Sequence, residues 1–237
     1  KITNEEVLKE VEYLKNQLGF VIRYKSPINA KDQLKGIEDT YDAIFIGVGL
    51  GKTRKLGLDG EDKEGVVGAV EFIEELRMKQ HKVNVPKNVV VLGGGNTAMD
   101  AASEAARMGA RKTVLVYRNS RKKMGAYSFE YDLAISAGVD SLFNVTPIAI
   151  TGSGKVEGVR FAKTEMVDGK LKTNMNNTFV VRCDMVIKAT GQAKHGHLYD
   201  MIDDLDIDNK TRIKINDLFQ TSNPKYFAGS DAVNGGA

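Results

Sequence analysis

The residues with the clearest chemical potential are Gly93, Gly94, Gly95, Asn96, Thr97 and Ala98, which follow the apolar run Val89-Val90-Val91-Leu92. Their spacing is G-x-G-x-x-A between a strand-like and a helix-like segment, the context in which such a motif binds a dinucleotide. Gly93 permits the tight turn. Gly95 lets a pyrophosphate approach the backbone with no Cβ in the way, and Ala98 keeps the helix close to the strand. Amides at the helix start, together with the helix dipole, stabilise phosphate charge. Without the flanking elements the same glycines would mark only a tight turn.

The following apolar strand selects the nucleotide. It ends at Tyr117-Arg118, and Arg118 lies 20 residues past Ala98. An NAD site usually places Asp or Glu here to bond the ribose 2′-hydroxyl. This chain instead offers Arg118, Arg121, Lys122 and Lys123. A carboxylate repels a 2′-phosphate, whereas a guanidinium binds it through two parallel hydrogen bonds. The pattern therefore points to NADP(H), with Lys123 read as a solvated loop residue.

A second pattern lies on either side of this motif. Tyr41–Lys52 (YDAIFIGVGLGK) aligns with Cys183–Lys194 (CDMVIKATGQAK) at an offset of 142. Each is an apolar strand with Asp near its start and a small-x-Gly end. Small residues there let a cofactor approach the backbone, although apolar strands ending in glycine also resemble one another by chance. If the repeat is real, the chain holds parts of two nucleotide-binding folds. The partner fingerprint for the first would then fall roughly 50 residues before Lys1. Lys1 itself, and the glycine-rich close Asn234-Gly235-Gly236-Ala237, add to the expectation of a piece of a longer chain.

These motifs need elements to position them. Thr3-Asn4-Glu5-Glu6 reads as a capping box opening a helix that Gly19 closes. Strands are expected at Phe20–Tyr24, Tyr41–Gly47, Asn88–Leu92, Thr113–Tyr117, Asp184–Ala189 and Lys225–Gly229, and helices at Ala69–Gln80 and Asn96–Met108. From Ile148 to Val181, turn signals at Thr151–Gly154 and Val167–Lys170 mark an antiparallel meander. The expected fold is α/β: a Rossmann-like, doubly wound parallel sheet with that meander inserted.

VVVLGGGNTAMDAA followed by VLVYRNSRKKM resembles the NADPH-binding domain of the family of the glutamate synthase small subunit and the dihydropyrimidine dehydrogenase flavin domain. AIFIGVGLGKTRKLGLDGED, KATGQ and PKYFAGSDAVNGGA match the family pattern in the same order. The resemblance implies an NADPH domain (71–195) inserted in a partial FAD domain (1–70, with a C-terminal return at 196–237). It implies that Gly47, Val48, Gly49, Gly229 and Asp231 approach FAD, and that Ala189, Thr190 and Gly191 lie near the nicotinamide. Where the family pattern reads Gly-Gly-Asp, this chain reads Gly229-Ser230-Asp231. By resemblance NADPH delivers hydride to the flavin, which passes electrons toward an iron–sulfur subunit or domain, with no acid–base side chain required. The alternative from another class is a docking or scaffold fragment that keeps the fold without turnover.

Composition narrows the remainder. The 237 residues carry 34 basic and 31 acidic side chains, a net charge of +3. That is too small an excess to indicate nucleic acid, and no apolar run is long enough for a membrane span. A single cysteine, Cys183, excludes an intrachain disulfide, and a cytoplasmic location is the default. His195-Gly196-His197 lacks companion ligands for a metal, and His81 reads as a helix-end residue. The acidic run Asp203–Asp208 lacks the glycine and terminal Glu of a calcium loop. Ser120 and Ser128 have no neighbouring His, so a hydrolase finds no support. A flavin-free dehydrogenase would need a Tyr-x-x-x-Lys or a catalytic His pair, and neither is evident.

Overall fold

The computed structural model describes residues 3–79 and 82–236. The order is α1 (Asn4–Leu18), α2 (Lys31–Thr40), β1 (Ile44–Ile46), β2 (Val66–Gly68), α3 (Ala69–Met78), β3 (Asn88–Leu92), α4 (Asn96–Arg107), β4 (Lys112–Tyr117), α5 (Ser128–Ser136), β5 (Val139–Phe143), β6 (Val145–Thr151), β7 (Gly158–Val167), β8 (Lys170–Arg182), β9 (Met185–Lys188), α6 (Gly196–Tyr199), β10 (Tyr226–Ala228) and α7 (Asp231–Asn234).

The central sheet is parallel, with strand order β2-β9-β3-β4-β5. Its middle strand β3 is apolar at every second position in both directions, so both faces must be covered. Val89 and Val91 pack with α3, α4 and α5 on one side; Val90 and Leu92 pack with Val145, Ile150, Val159 and Phe161 on the other. Each such buried side chain contributes roughly 1.5–3 kcal/mol. Helix α4 can lie close against the sheet because its inner face is Ala98, Ala101, Ala102 and Ala105, all fully buried. The meander covers the second face as a sheet of its own, β6-β7-β8, starting at Val145 and ending at Arg182.

A separate parallel pair, β1-β10, has its own core of Leu34, Ile46, Tyr199, Ile202, Ile213, Tyr226 and Ala228. Tyr226 is anchored there through its hydroxyl, which donates to Glu38 at 2.6 Å.

Several expectations need correction at their edges. Phe20–Tyr24 is not a strand. Phe20, Val21 and Tyr24 are exposed, no strand among the described residues pairs with the segment, and Lys25 turns the chain with φ +54. Propensity without a neighbouring edge gives no ladder. The capping box of α1 forms as expected, and Gly19 closes the helix in the left-handed region, yet no α1 residue is buried. The helix after Ala69 is described through Met78; Gln80 and His81 lie outside the described residues. Cys183 is buried among apolar side chains, and that burial, with Asp184 beside it, pushes its thiol pKa up to about 12. A thiol so disposed is inert. Among the described residues no helix is long and apolar enough to cross a membrane, and no group of three or more His, Cys, Asp or Glu could hold a metal. The acidic run is a surface turn, in which Arg212 holds the Asp208 carboxyl down to about 2 through hydrogen bonds from its side chain and backbone.

Ser230 takes φ +62 and ψ −155, a region that glycine alone enters without strain. Ser230→Gly relieves roughly 1–3 kcal/mol of strain and gives back part of it as unfolded-chain entropy. The expected result is a thermal midpoint higher by about 2–4 °C; a midpoint at or below that of the parent protein contradicts it.

Candidate functional site

The fingerprint turn joins the carboxyl end of β3 to α4. Each glycine there has its own reason. A Cβ on Gly93 would collide with the Ala189 carbonyl at the end of neighbouring β9, and one on Gly94 would enter the Tyr117 ring at the end of β4. A Cβ on Gly95 would meet nothing within 4 Å. The first two glycines let three strand ends converge, and the third leaves open space over the helix start. Among the described residues no side chain caps α4. Asn96 is turned to the side, its Oδ1 accepting from the Tyr127 amide at 3.0 Å.

Two clefts meet at this turn. The first, about 400 Å3, is lined by Gly95, Asn96, Thr97, Ala189, Gly191 and Asp231, with Leu50, Thr53, Arg54, Gln192, Lys194, Gly235 and Gly236 among the rest. The second, about 390 Å3, is lined by Gly93, Gly94, Tyr117, Arg118, Ala189 and Thr190, opposite Leu56, Leu58 and Val145-Thr146-Pro147. Ala189 borders both. Both lie at the carboxyl ends of the parallel strands, where open α/β sheets bind ligands.

The structure separates the basic residues after β4. Arg118 is exposed and lines the second cleft. Arg121 stands 4.2 Å above the Tyr131 ring and pairs with Asp132 at 3.3 Å, on the α5 side. Lys122 is exposed on the single 3-10 turn Arg121–Lys123.

The expected flavin-side residues gather at one edge. Gly47–Gly49 follow β1 and Gly229 follows β10, with the Gly229 amide donating to Ile46 O at 3.3 Å. Gly47 and Gly229 both lie against the exposed Phe45 ring, and Val48 is exposed. Of this group Asp231 reaches the first cleft.

The two halves of the sequence echo touch. The Gly51 amide donates to Ala193 O at 2.8 Å, Ala193 N to Lys52 O at 2.7 Å, and Arg54 N to Gly191 O at 3.0 Å. Gln192 Nε2 donates to Gly51 O at 2.9 Å. The chain leaving β1 and the chain leaving β9 thus cross as an antiparallel pair on the floor of the first cleft. Thr53 is fixed there by Glu71 of α3, which accepts from its amide at 3.0 Å and its hydroxyl at 2.7 Å. Burial raises the Glu71 carboxyl pKa, but these bonds and the nearby Lys188 charge outweigh it and leave it below its ordinary value.

Sequence reasoning missed Thr53, Arg54, Gln192 and Lys194. They fall at the end of the echo or just beyond it, so following the alignment past the glycines would have found them. Leu56, Leu58 and Pro147 carry no local signal, since each is an ordinary loop or strand residue until the fold brings it to the cleft.

The comparisons with known proteins agree with this architecture. The sequence pattern of the family described as "Pyridine nucleotide-disulphide oxidoreductase" matches residues 4–236. The chain is 32% identical to the glutamate synthase [NADPH] small chain of Escherichia coli, over 98% of this chain and 54% of that protein. It is 33% identical to the NADP(+)-dependent formate dehydrogenase subunit beta of Moorella thermoacetica, over 95% of this chain and 33% of that protein. The chain therefore spans about half, or less, of the length of these relatives. Among solved structures, Mycobacterium tuberculosis FprA in complex with NADPH superposes with a TM-score of 0.71 at 18% identity, covering 98% of this chain and 67% of that one. That likeness establishes the fold. With its fingerprint turn, its paired clefts and the pattern match running over nearly its whole length, the chain belongs to the pyridine nucleotide-disulphide oxidoreductase family.

Proposed function

We propose that this chain is the NADPH-binding portion of a flavin-dependent oxidoreductase, with residues 71–195 as the NADPH domain, to whose sheet β2 (Val66–Gly68) adds an edge strand, and with the rest of 1–70 and 196–237 as parts of the FAD domain. The observation that carries the reading is the meeting of two clefts at Gly93–Thr97 and Ala189, which suits a ligand with two nucleoside ends and a diphosphate between them. The diphosphate lies over Gly95, Asn96 and Thr97, where the uncapped α4 start offers amides and a positive dipole end. Arg118 binds the 2′-phosphate, and Arg121 and Lys122 add long-range positive potential. The nicotinamide end enters the first cleft near Ala189 and Gly191, with Thr190 between them facing the second.

The first cleft also fits the edge of a flavin. Asp231, Gly235 and Gly236 border it from the β1-β10 side, where Gly47, Val48, Gly49 and Gly229 supply small or backbone surfaces. A flavin held there by these residues would supply a hydride acceptor for reduced nicotinamide and a route for electrons onward. The side chains of this chain orient the two ligands and exclude water. Cys183 is too deeply buried to join in as a thiol. The names of the relatives, a small chain and a subunit beta, support an electron-transfer partner, which we take to be an iron–sulfur subunit or domain.

Titration of the chain with NADPH and NADH tests the cofactor assignment. NADPH is expected to bind at least about 10-fold more tightly, a difference of about 1.4 kcal/mol. A preference for NADH overturns it.

A further inference from the structure

Loop 56–61 forms the far wall of the second cleft, through the side chains of Leu56 and Leu58. It is an irregular segment, so something other than a strand ladder must hold it. Glu61 does so from within. Its carboxylate accepts from the amides of Leu56 at 2.8 Å and Gly57 at 2.7 Å. Its Oε1 also accepts from Lys188 Nζ at 2.6 Å, and both side chains of this ion pair are only 11% exposed.

Lys188 is the last residue of β9, paired in register with Gly68 of β2 and Leu92 of β3. It therefore stands on a strand paired on both sides, one residue before Ala189, which borders both clefts. Burial pushes the Glu61 carboxyl up, but Lys188 and the amides outweigh it, so the carboxylate stays charged. The Lys188 charge also acts on Glu71, which holds Thr53 at the first cleft. The loop is pinned from the other side as well, where the Ile150 amide of β6 donates to Asp59 O at 2.8 Å and Gly60 sits too close to the Ile150 carbonyl to admit a Cβ.

A buried ion pair is a poor source of net stability, because desolvation offsets most of the attraction. Its use is in fixing one arrangement. We propose that Glu61 and Lys188 are positioning residues for nucleotide binding: the ion pair ties the 56–61 loop to the end of β9 and so sets the far wall of the second cleft. The inference rests on the reading of that cleft as part of the NADPH site.

The test uses the full chain with Glu61→Gln, Lys188→Met and the double variant. Two quantities are measured: amide hydrogen exchange of Leu56, Gly57 and Leu58 without nucleotide, and NADPH affinity by titration. Each single variant leaves a buried group without its partner, so a lower thermal midpoint is expected and by itself decides nothing about positioning. The double variant removes both charges, which restores most of the midpoint. In it, the three loop amides should still exchange about 10-fold faster than in the parent, with β3 amides unchanged, and NADPH should bind about 10-fold more weakly. Parent-like loop exchange and affinity in a double variant with restored midpoint overturn the proposal. If the parent protein binds no NADPH, the functional reading fails, while the loop exchange still decides whether the pair positions the loop.

Discussion

Replacing Gly95 with Asp is expected to abolish most nucleotide binding while leaving the protein as stable as before. Gly95 is the N-cap of α4, with extended backbone at φ −99, ψ 177 that any residue can adopt. Asp is among the best N-cap residues, so the helix loses nothing. A Cβ at this position meets no heavy atom within 4 Å, so it has open space at a residue that lines the first cleft. Asp there would place a carboxylate where the proposed function puts the diphosphate and engage helix-start amides with its own oxygens. A loss of about 100-fold in NADPH affinity, about 2.7 kcal/mol, is expected. Gly93→Ala should behave in the opposite way. Its Cβ collides with the Ala189 carbonyl, and its φ of +154 suits glycine. Backbone cannot step aside as a flexible side chain can, so about 2–4 kcal/mol of stability should be lost. Calorimetry and titration on the two variants separate these effects. Equal losses of stability in both would contradict the distinct roles assigned to the two glycines.

Arg118→Asp carries the second large effect. Arg118 lines the cleft beside Gly93, Gly94 and Tyr117, whereas Arg121 is engaged with Tyr131 and Asp132. An Asp at 118 removes a two-pronged phosphate donor and adds repulsion toward a 2′-phosphate, while it can accept from a free 2′-hydroxyl. NADPH is expected to weaken by about 10- to 100-fold, roughly 1.4–2.7 kcal/mol, with NADH unchanged or improved. Arg121→Ala should cost several-fold less, because that guanidinium already has partners on α5. If Arg121→Ala costs more than Arg118→Asp, the 2′-phosphate lies on the α5 side instead.

Much of this was legible in the chain because it depends on local spacing. The G-x-G-x-x-A turn needs only a strand, a tight turn and a helix, and those signals lie within a few residues of one another. The run Val89–Leu92 is apolar throughout because both faces are covered, and it lies in the strand expected and found at Asn88–Leu92. Gly19 and the Thr3–Glu6 box likewise act within one helical turn. Phe20–Tyr24 misled for the converse reason. A strand exists only where another edge pairs with it, and its residues carry no record of whether one is near.

The sequence by itself therefore determined the fold class, the fingerprint, the basic stretch after β4 and the lack of a redox cysteine pair. Tertiary structure alone decided which of the basic residues stands at the cleft, since Arg118 and Arg121 are chemically alike and only three residues apart. It also decided that the ends of the two echoed segments cross and hydrogen-bond on the floor of the first cleft. Finally, it brought Glu61 and Lys188, 127 positions apart in the chain, into a single, largely buried pair. Long-range partnership of this kind depends on the sum of all packing choices, so a carboxylate in a glycine-rich loop and a lysine at a strand end show no mark of it when read alone.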